Sequence, residues 1–305
     1  MDVSNTRIVI LGKTGSGKSS LANTIFGEEQ FTISHNLNSK TRECQAETKS
    51  VNGRSITLID TPAFYDTERS EEELKPEIVR CITECAPGPH AFLIVLKVEK
   101  FIVQEQAVIT KISQCFSDEV FNYATVLFTH GDQLEEGQTI EDFVHQNKSM
   151  SDLVKKCGSR CHVVDNKYWQ NNQQDKYRSN QFQVNELLNT IEKMVKSNEG
   201  SCYTNEMLQA VEEVLQQEVE AIRRSSGNKS EKEIIEQARI STFKLLINFA
   251  GTAKDTLLGA FTGAAAAVEA MICRIKGYKV VEGAEPLVTC GTEDAKEAVE
   301  NVTDL

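Results

Sequence analysis

Unbroken apolar runs alternate with amphipathic ones through the first two thirds of the chain. Residues 7–11 read R-I-V-I-L, and residues 91–97 and 123–129 are apolar in the same continuous way. Strands buried on both faces look like this, because helices cover both sides of a parallel sheet. Between them, apolar residues fall at three- and four-residue steps. Leu21, Ile25 and Phe26 follow the first run, 70–85 predicts a second helix, and 104–116 puts Val108, Ile109, Ile112 and Phe116 on one side. Residues 140–147 and 150–156 predict short helices, 161–164 a short strand, the polar 167–178 a loop, and 184–197 a closing helix. Residues 43–51 and 54–60 flank Asn52-Gly53, a pair that tolerates positive φ at both central turn positions, so these two strands form an antiparallel hairpin. The alternation predicts an α/β fold with a mainly parallel central sheet and one antiparallel hairpin strand.

Beyond residue 200 the pattern changes. Residues 205–224 carry Leu208, Val211, Leu215, Val219 and Ile222 at helical steps, an amphipathic helix that packs on the first domain or on a partner. S-S-G-N at 225–228 breaks it, a second helical stretch opens near Ser230, and 247–273 is rich in Ala, Gly and Leu. Residues 257–273 are marginal in length for a hydrocarbon core of about 30 Å, and Glu269 interrupts them. The preferred reading is a small-residue helix packed closely on another helix. The alternative is peripheral membrane contact through 242–279, with Arg274, Lys276 and Lys279 available for anionic lipid heads. The tail after Gly277 is acidic and expected to be mobile.

Composition narrows the function classes. Of 305 residues, 33 are basic and 45 acidic, for a net charge of −12, which argues against general nucleic-acid binding because that needs basic surface for the phosphates. No signal-peptide pattern precedes the first strand. Nine cysteines are scattered without paired metal-type spacing, so the expectation is reduced thiols and an intracellular, cytoplasmic protein, with association to intracellular membranes left open.

The chemistry is concentrated after the first strand. Gly12, Lys13, Thr14, Gly15, Ser16, Gly17, Lys18 and Ser19 form a complete G-x-x-x-x-G-K-[ST] phosphate loop, with Ser20 opening the helix behind it. Its backbone N–H groups cradle an anion at a helix N-terminus, Lys18 supplies charge to the outer phosphates, and the Ser19 hydroxyl suits Mg²⁺. Asp60 ends a strand, where its carboxylate can hold the metal through water. The D-x-x-G pattern reads D-T-P-A there, with Ala63 in place of glycine and Phe64 where a water-orienting Gln often stands. Thr41, between the first helix and the second strand, sits where a switch threonine would meet Mg²⁺ and the γ-phosphate; an ordinary loop threonine is the alternative. Thr129-His130-Gly131-Asp132 is a variant of the N-K-x-D guanine motif. Asp132 can accept from the ring N–H and the amino group of guanine, which adenine lacks, and His130 would stack on the base. Asp132 could instead be a helix N-cap or turn residue. Asn166, in Asp165-Asn166-Lys167, offers a further base contact or belongs to an ordinary turn.

With these elements in order, the chain resembles the immunity-associated GTPases, the GIMAP or IAN family, a septin-like branch of the P-loop GTPases. The carrying residues are G-K-T-G-S-G-K-S-S-L-A-N-T-I-F-G (12–27), S-K-T-R-E-C-Q (39–45), D-T-P (60–62), P-G-P-H-A-F-L-I-V (87–95), F-T-H-G-D (128–132) and H-V-V-D-N-K (162–167), and the similarity covers about 7–196. The resemblance implies a G domain over 1–200; the residue pattern beyond it gives a helical extension over 201–281, self-packing or membrane-contacting, and an acidic, mobile tail over 282–305. It implies GTP/GDP and Mg²⁺ as cofactors, and a homodimer or a hetero-oligomer with related GTPases formed through the nucleotide face. It also implies an immune role. In such dimers an Arg of the conserved box can complete catalysis in the facing subunit; that position here is Lys100, with a solvated surface charge as the alternative. An arginine finger contributes roughly 10³–10⁵ to hydrolysis and lysine lacks its planar fork, so slow GTP hydrolysis is expected. The function expected is a guanine-nucleotide switch that assembles in its GTP state. The alternatives are a GTP-dependent scaffold with essentially no hydrolysis and, further off, a P-loop kinase or ATPase.

Overall fold

The computed structural model describes residues 5–33, 44–61, 71–169, 175–225 and 229–251. Thr41, Ala63, Phe64, the 257–273 stretch and the acidic tail lie outside them. The chain divides into two compact units, Met1–Thr204 and Asn205–Leu305.

The described residues of the first unit form six strands: β1 (Thr6–Leu11), β2 (Gln45–Val51), β3 (Arg54–Asp60), β4 (Ala91–Lys97), β5 (Ala124–Thr129) and β6 (Cys161–Val163). They lie in the order β2-β3-β1-β4-β5-β6. All pairings are parallel except β2 with β3, where Lys49 faces Ile56 across the hairpin. Asn52 and Gly53 take φ of 50° and 77°, the left-handed pair that a two-residue turn of this hairpin demands. The chain runs from β1 outward to β3 on one side and returns to β4 on the other. A crevice therefore opens at the carboxyl ends of β1 and β4, where the direction of winding reverses.

Among the described residues six helices flank the sheet: α1 (Lys18–Phe26), α2 (Glu71–Cys85), α3 (Val103–Phe116), α4 (Ile140–His145), α5 (Lys148–Lys156) and α6 (Asn180–Ser197). Strand alternation sends Ile8, Ile10, Leu58, Leu93, Val95 and Leu127 into one core with Leu21, Ile25, Leu187 and Ile191 of α1 and α6. On the other face, Phe92 packs on Phe116 with centroids 5.2 Å apart, and Phe128 meets Phe143 edge-on at 6.2 Å. The second unit contains α7 (Glu206–Ser225) and α8 (Glu231–Gly251), which pack on each other. No helix among the described residues is long and apolar enough to cross a membrane.

The starts of α6 and β5 and the state of one cysteine pair differ from the sequence reading. Helix α6 begins at Asn180 rather than at Val184, because the polar Asn180 and Gln183 are buried and hydrogen-bonded there. Strand β5 begins at Ala124, since Asp118–Tyr123 forms a 3₁₀ helix that the Arg160 guanidinium holds by the carbonyls of Phe121 and Asn122. The expectation that every cysteine is reduced is corrected at one pair. Cys44, just ahead of β2, is bonded to Cys81 of α2, with Cα atoms 5.9 Å apart, and its N–H donates to the Glu77 carboxylate at 2.6 Å. Among the described residues Cys157, Cys161 and Cys202 are free.

The P-G-P-H stretch at 87–90 works at the amino-terminal edge of the sheet, opposite the crevice. His90 N–H donates to the Arg7 carbonyl at 2.8 Å, its Nδ1 accepts from Arg7 N–H at 3.0 Å, and the Arg7 guanidinium donates to the Gly88 carbonyl at 2.8 Å. Tyr203 N–H donates to Pro89 O at 2.8 Å and the Thr204 hydroxyl to Pro87 O at 3.2 Å. A Cβ on Gly88 would lie 1.9 Å from the Tyr203 carbonyl oxygen, so only glycine permits this clasp. Gly88→Ala should therefore lower the unfolding free energy by about 2 kcal/mol, the scale of forced overpacking. Urea denaturation monitored by Trp169 fluorescence measures this; an unchanged midpoint would contradict the clasp.

A second expectation concerns pH. Burial, with the Arg7 charge nearby, lowers the pKa of His90 to about 4, and burial lowers His162 to about 4 against the pull of Glu186. An unfolded histidine titrates near 6.5, so between about pH 6.5 and 4 the unfolded chain binds the extra protons. Stability from these groups is present above that window and is lost as pH falls through it. After discounting for part exposure, each contributes on the order of 1–2 kcal/mol. Paired melts from pH 7 to 4.5 should show a shallower decline in the double variant His90→Asn, His162→Asn; equal slopes would refute the assignment.

Candidate functional site

The loop from Gly12 to Gly17 leaves β1 and turns into α1 at the crevice. Gly12 is forced by space: a Cβ there would lie 2.7 Å from the Val95 carbonyl oxygen and 2.9 Å from Ser16 Oγ. The Lys18 ammonium, 6% exposed, donates to the carbonyls of Gly12 and Lys13, each at 3.1 Å, so it lies inside the curl of the loop. Ser19 Oγ donates to Asp60 Oδ2 at 2.5 Å, which joins the start of α1 to the end of β3. Asp60 is fully buried and its Oδ1 has no hydrogen-bond partner. Burial pushes its carboxyl upward, against the pull of the Lys18 charge and the Ser19 hydroxyl. A hydroxyl and a carboxylate with a spare buried oxygen suit a hard divalent cation, which takes oxygen ligands. These residues therefore fit Mg²⁺.

The loops after β5 and β6 close the other side. His130 takes the left-handed conformation, φ 61°, and its Nδ1 lies 3.0 Å from Thr129 Oγ1. Thr129 is fully buried, and its hydroxyl donates to Ser16 O at 2.8 Å, so this side chain joins the phosphate loop to the end of β5. Asp132 is half-buried; Gln133 Nε2 donates to its Oδ2 at 2.7 Å. Burial and the neighbouring Asp165 carboxylate raise the Asp132 pKa. Asn166 Oδ1 accepts from Thr24 Oγ1 at 2.8 Å, which fixes that amide beside α1.

One cavity of about 1220 Å³ takes in Thr14, Gly15, Gly17, Lys18, Ser19 and Ser20 at one end and His130, Asp132 and Asn166 at the other. Gly12, Lys13, Ser16, Thr129 and Asp60 support it from behind or beside and are not among its lining residues. Lys100 is exposed in the turn after β4 and does not line it either.

Sequence reasoning passed over the residues that hold the base-side loops in place. Asp165, 2% exposed, accepts from the backbone N–H of Lys167 at 2.9 Å, of Tyr168, and of Asp132 at 3.3 Å. Burial works against its charge, but these donors outweigh it and hold its pKa below the usual carboxylate range. Asn180 brackets it, accepting from Asp165 N–H at 3.1 Å and donating to Asp165 O at 2.6 Å. The buried Trp169 ring lies where any side chain on Gly131 would go, 2.6 Å from a Cβ built there. The D-N-K sequence gave a signal for Asp165, since Asp commonly bonds backbone two residues on. Nothing local signalled Asn180.

Known proteins resemble this chain in sequence and in fold. Residues 6–223 match the AIG1 family. Immune-associated nucleotide-binding protein 8 of Arabidopsis thaliana is 36% identical over 213 residues, 68% of this chain and 58% of that protein. Protein 9 of the same series is 30% identical over 210 residues, 68% of this chain and 60% of that protein. The chain thus spans less than two thirds of the length of these two relatives. Protein 5 is 31% identical over 261 residues, 82% of each. Among solved structures, a dimerization-deficient mutant of Toc33 from Arabidopsis thaliana superposes with a TM-score of 0.51 at 19% identity, over 64% of this chain and 86% of that one. Toc33 in complex with Mg²⁺ and GMPPNP gives 0.50 at 19%, over 64% and 86%. At that identity the likeness shows the fold, that of a P-loop GTPase G domain, while the match over most of the sequence shows the family: the chain belongs to the AIG1 family.

Proposed function

We propose that the protein is a guanine-nucleotide switch that binds GTP and GDP with Mg²⁺, hydrolyses GTP slowly and assembles in its GTP state through the nucleotide face. The observation that carries this reading is one continuous cavity with the phosphate loop at one end and Asp132 at the other. Phosphate oxygens fit the N–H groups of the loop, with the Lys18 ammonium moving from the Gly12 and Lys13 carbonyls onto them. Ser19 and, through water, Asp60 would hold Mg²⁺, with Thr41 as a further ligand; bound there, the ion neutralises charge on the β- and γ-phosphates. The Asp132 carboxylate accepts the two guanine donors, His130 lies against the base, and Asn166 supplies a further contact. Asp165 keeps the Asp132 backbone in place.

Assembly is carried over from the family resemblance, and Toc33, of which one solved structure is a dimerization-deficient mutant, shares the fold. In a face-to-face dimer Lys100 would reach the partner's nucleotide as a point charge without the bidentate fork, which favours slow turnover. The same substitution supports a second reading, a GTP-dependent scaffold with essentially no hydrolysis. The division into a G domain over 1–200, a helical extension over 201–281 and a tail over 282–305 belongs to the proposal, as does a cytoplasmic location with membrane contact through 242–279 as the alternative.

Titration with fluorescent GDP and a non-hydrolysable GTP analogue, with ATP as competitor, tests the reading. Guanine nucleotides should bind at micromolar or tighter Kd and ATP should compete poorly. Lys18→Ala removes a charge-assisted bond to phosphate and should weaken binding by about 10- to 100-fold. Equal competition by ATP would overturn the guanine assignment. A mass that rises only with the triphosphate analogue, followed by light scattering, supports the switch; a mass indifferent to nucleotide refutes assembly in the GTP state.

A further inference from the structure

The phosphate loop carries a second cation, Lys13, and its side chain is committed elsewhere than to the cavity. Lys13 Nζ lies 2.9 Å from Glu99 Oε1 and pairs directly with the Glu105 carboxylate. Glu99 sits in the turn after β4, beside Lys100, and Glu105 in the first turn of α3. Glu105 is 3% exposed, and its other oxygen accepts the Ile102 N–H at 3.0 Å. A carboxylate buried this deeply is costly unless a cation and hydrogen-bond donors compensate it, so the Lys13 contact resists opening. Burial works against the Lys13 charge, but the two carboxylates outweigh it and hold its pKa above the ordinary lysine value.

The main chain of the same residue faces the other way. The Lys13 carbonyl accepts from the Lys18 ammonium at 3.1 Å and from Ser16 N–H at 3.2 Å. Lys13 is therefore tied by its backbone to the group that reads phosphate and by its side chain to the 98–102 turn. A polyphosphate that draws Lys18 off the Gly12 and Lys13 carbonyls changes the load on Lys13. The contacts of the Lys13 side chain with Glu99 and Glu105, and of Glu105 with the Ile102 N–H, would carry that change to the 98–102 turn.

We infer that Glu105 is a positioning residue: through Lys13 it makes the 98–102 turn, and Lys100 within it, respond to whether a γ-phosphate engages the Lys18 ammonium. This inference rests on the nucleotide reading above and assigns to that site the route by which occupancy reaches the outer surface. Glu105 touches neither nucleotide nor metal in this account. It acts through Lys13.

Glu105→Gln tests it, since Gln keeps an oxygen for the Ile102 N–H and removes the charge that holds Lys13. The intact chain is loaded with GDP or with a non-hydrolysable GTP analogue, and amide hydrogen exchange is followed across 98–106 while affinities are measured in parallel. In the wild-type protein the triphosphate analogue should slow exchange in this stretch by about tenfold relative to GDP. In E105Q, exchange there should be the same in both nucleotide states, with each affinity within about threefold of wild type. Glu99→Gln, at the exposed end of the clamp, should lose part of the response and keeps the proposal testable if E105Q does not fold. A nucleotide-linked change that survives both substitutions overturns the inference. So does a wild-type protein that binds both nucleotides without any difference across 98–106, and so does a loss of affinity in E105Q as large as the loss of coupling. A wild-type protein that binds no guanine nucleotide sinks the functional reading itself, and the parallel titration shows which of the two has failed.

Discussion

The close approach of Gly12 to the Val95 carbonyl is the constraint on which the site depends. It lets the chain leave β1 and double back across the end of β4, where any side chain would collide with backbone 2.7 Å away. That path puts the loop's N–H groups at the N-terminus of α1 and the Lys18 ammonium inside the curl. Ser19 then falls next to Asp60, and the buried Thr129 hydroxyl reaches Ser16. Phosphate loop, metal pair and base-side loop are thus fixed by contacts among the carboxyl ends of β1, β3, β4 and β5. Such preorganisation lowers the ordering cost of binding a charged ligand.

The opposite edge of the sheet carries a different kind of order. There the 87–90 stretch gathers Arg7, Tyr203 and Thr204 through backbone and side-chain hydrogen bonds. Its glycine is explained by packing against Tyr203, far from any ligand chemistry. The P-G-P-H start of one segment that carries the family resemblance is thus a structural clasp at one end of β4. The turn that presents Lys100 lies at the other end of the same strand. Strand β4, buried along nearly its whole length, connects the two rigidly.

Much of this was legible in the sequence, because the signals are periodic or local. Continuous apolar runs revealed β1, β4 and β5, Asn52-Gly53 revealed the hairpin, and the phosphate loop announced itself by spacing. What stayed hidden depends on pairs that meet only in three dimensions. Cys44 and Cys81 are 37 residues apart, and neither lies in a pattern that points to the other. Asn180 and Gln183 are buried polar residues, so the apolar count began α6 too late. Lys13 reads as one more phosphate-loop residue until the structure brings Glu99 and Glu105 to it. Glu105, a carboxylate among polar neighbours in sequence, gave no hint of its burial.

The central claim is that the cavity reads guanine through Asp132, and an exchange of chemistry at that one side chain tests it most directly. Asp132→Asn replaces an oxygen acceptor with an amide donor. Guanine's amino group then faces a donor, whereas xanthine offers a carbonyl at the same position and keeps its ring N–H for the remaining oxygen. The account predicts that the variant loses GDP affinity by about 100-fold and gains xanthosine diphosphate by a similar factor, the scale expected when buried polar groups lose or find partners. If Asp132→Asn binds GDP as tightly as the wild-type protein and still rejects the xanthine nucleotide, the base is read elsewhere and the account is wrong.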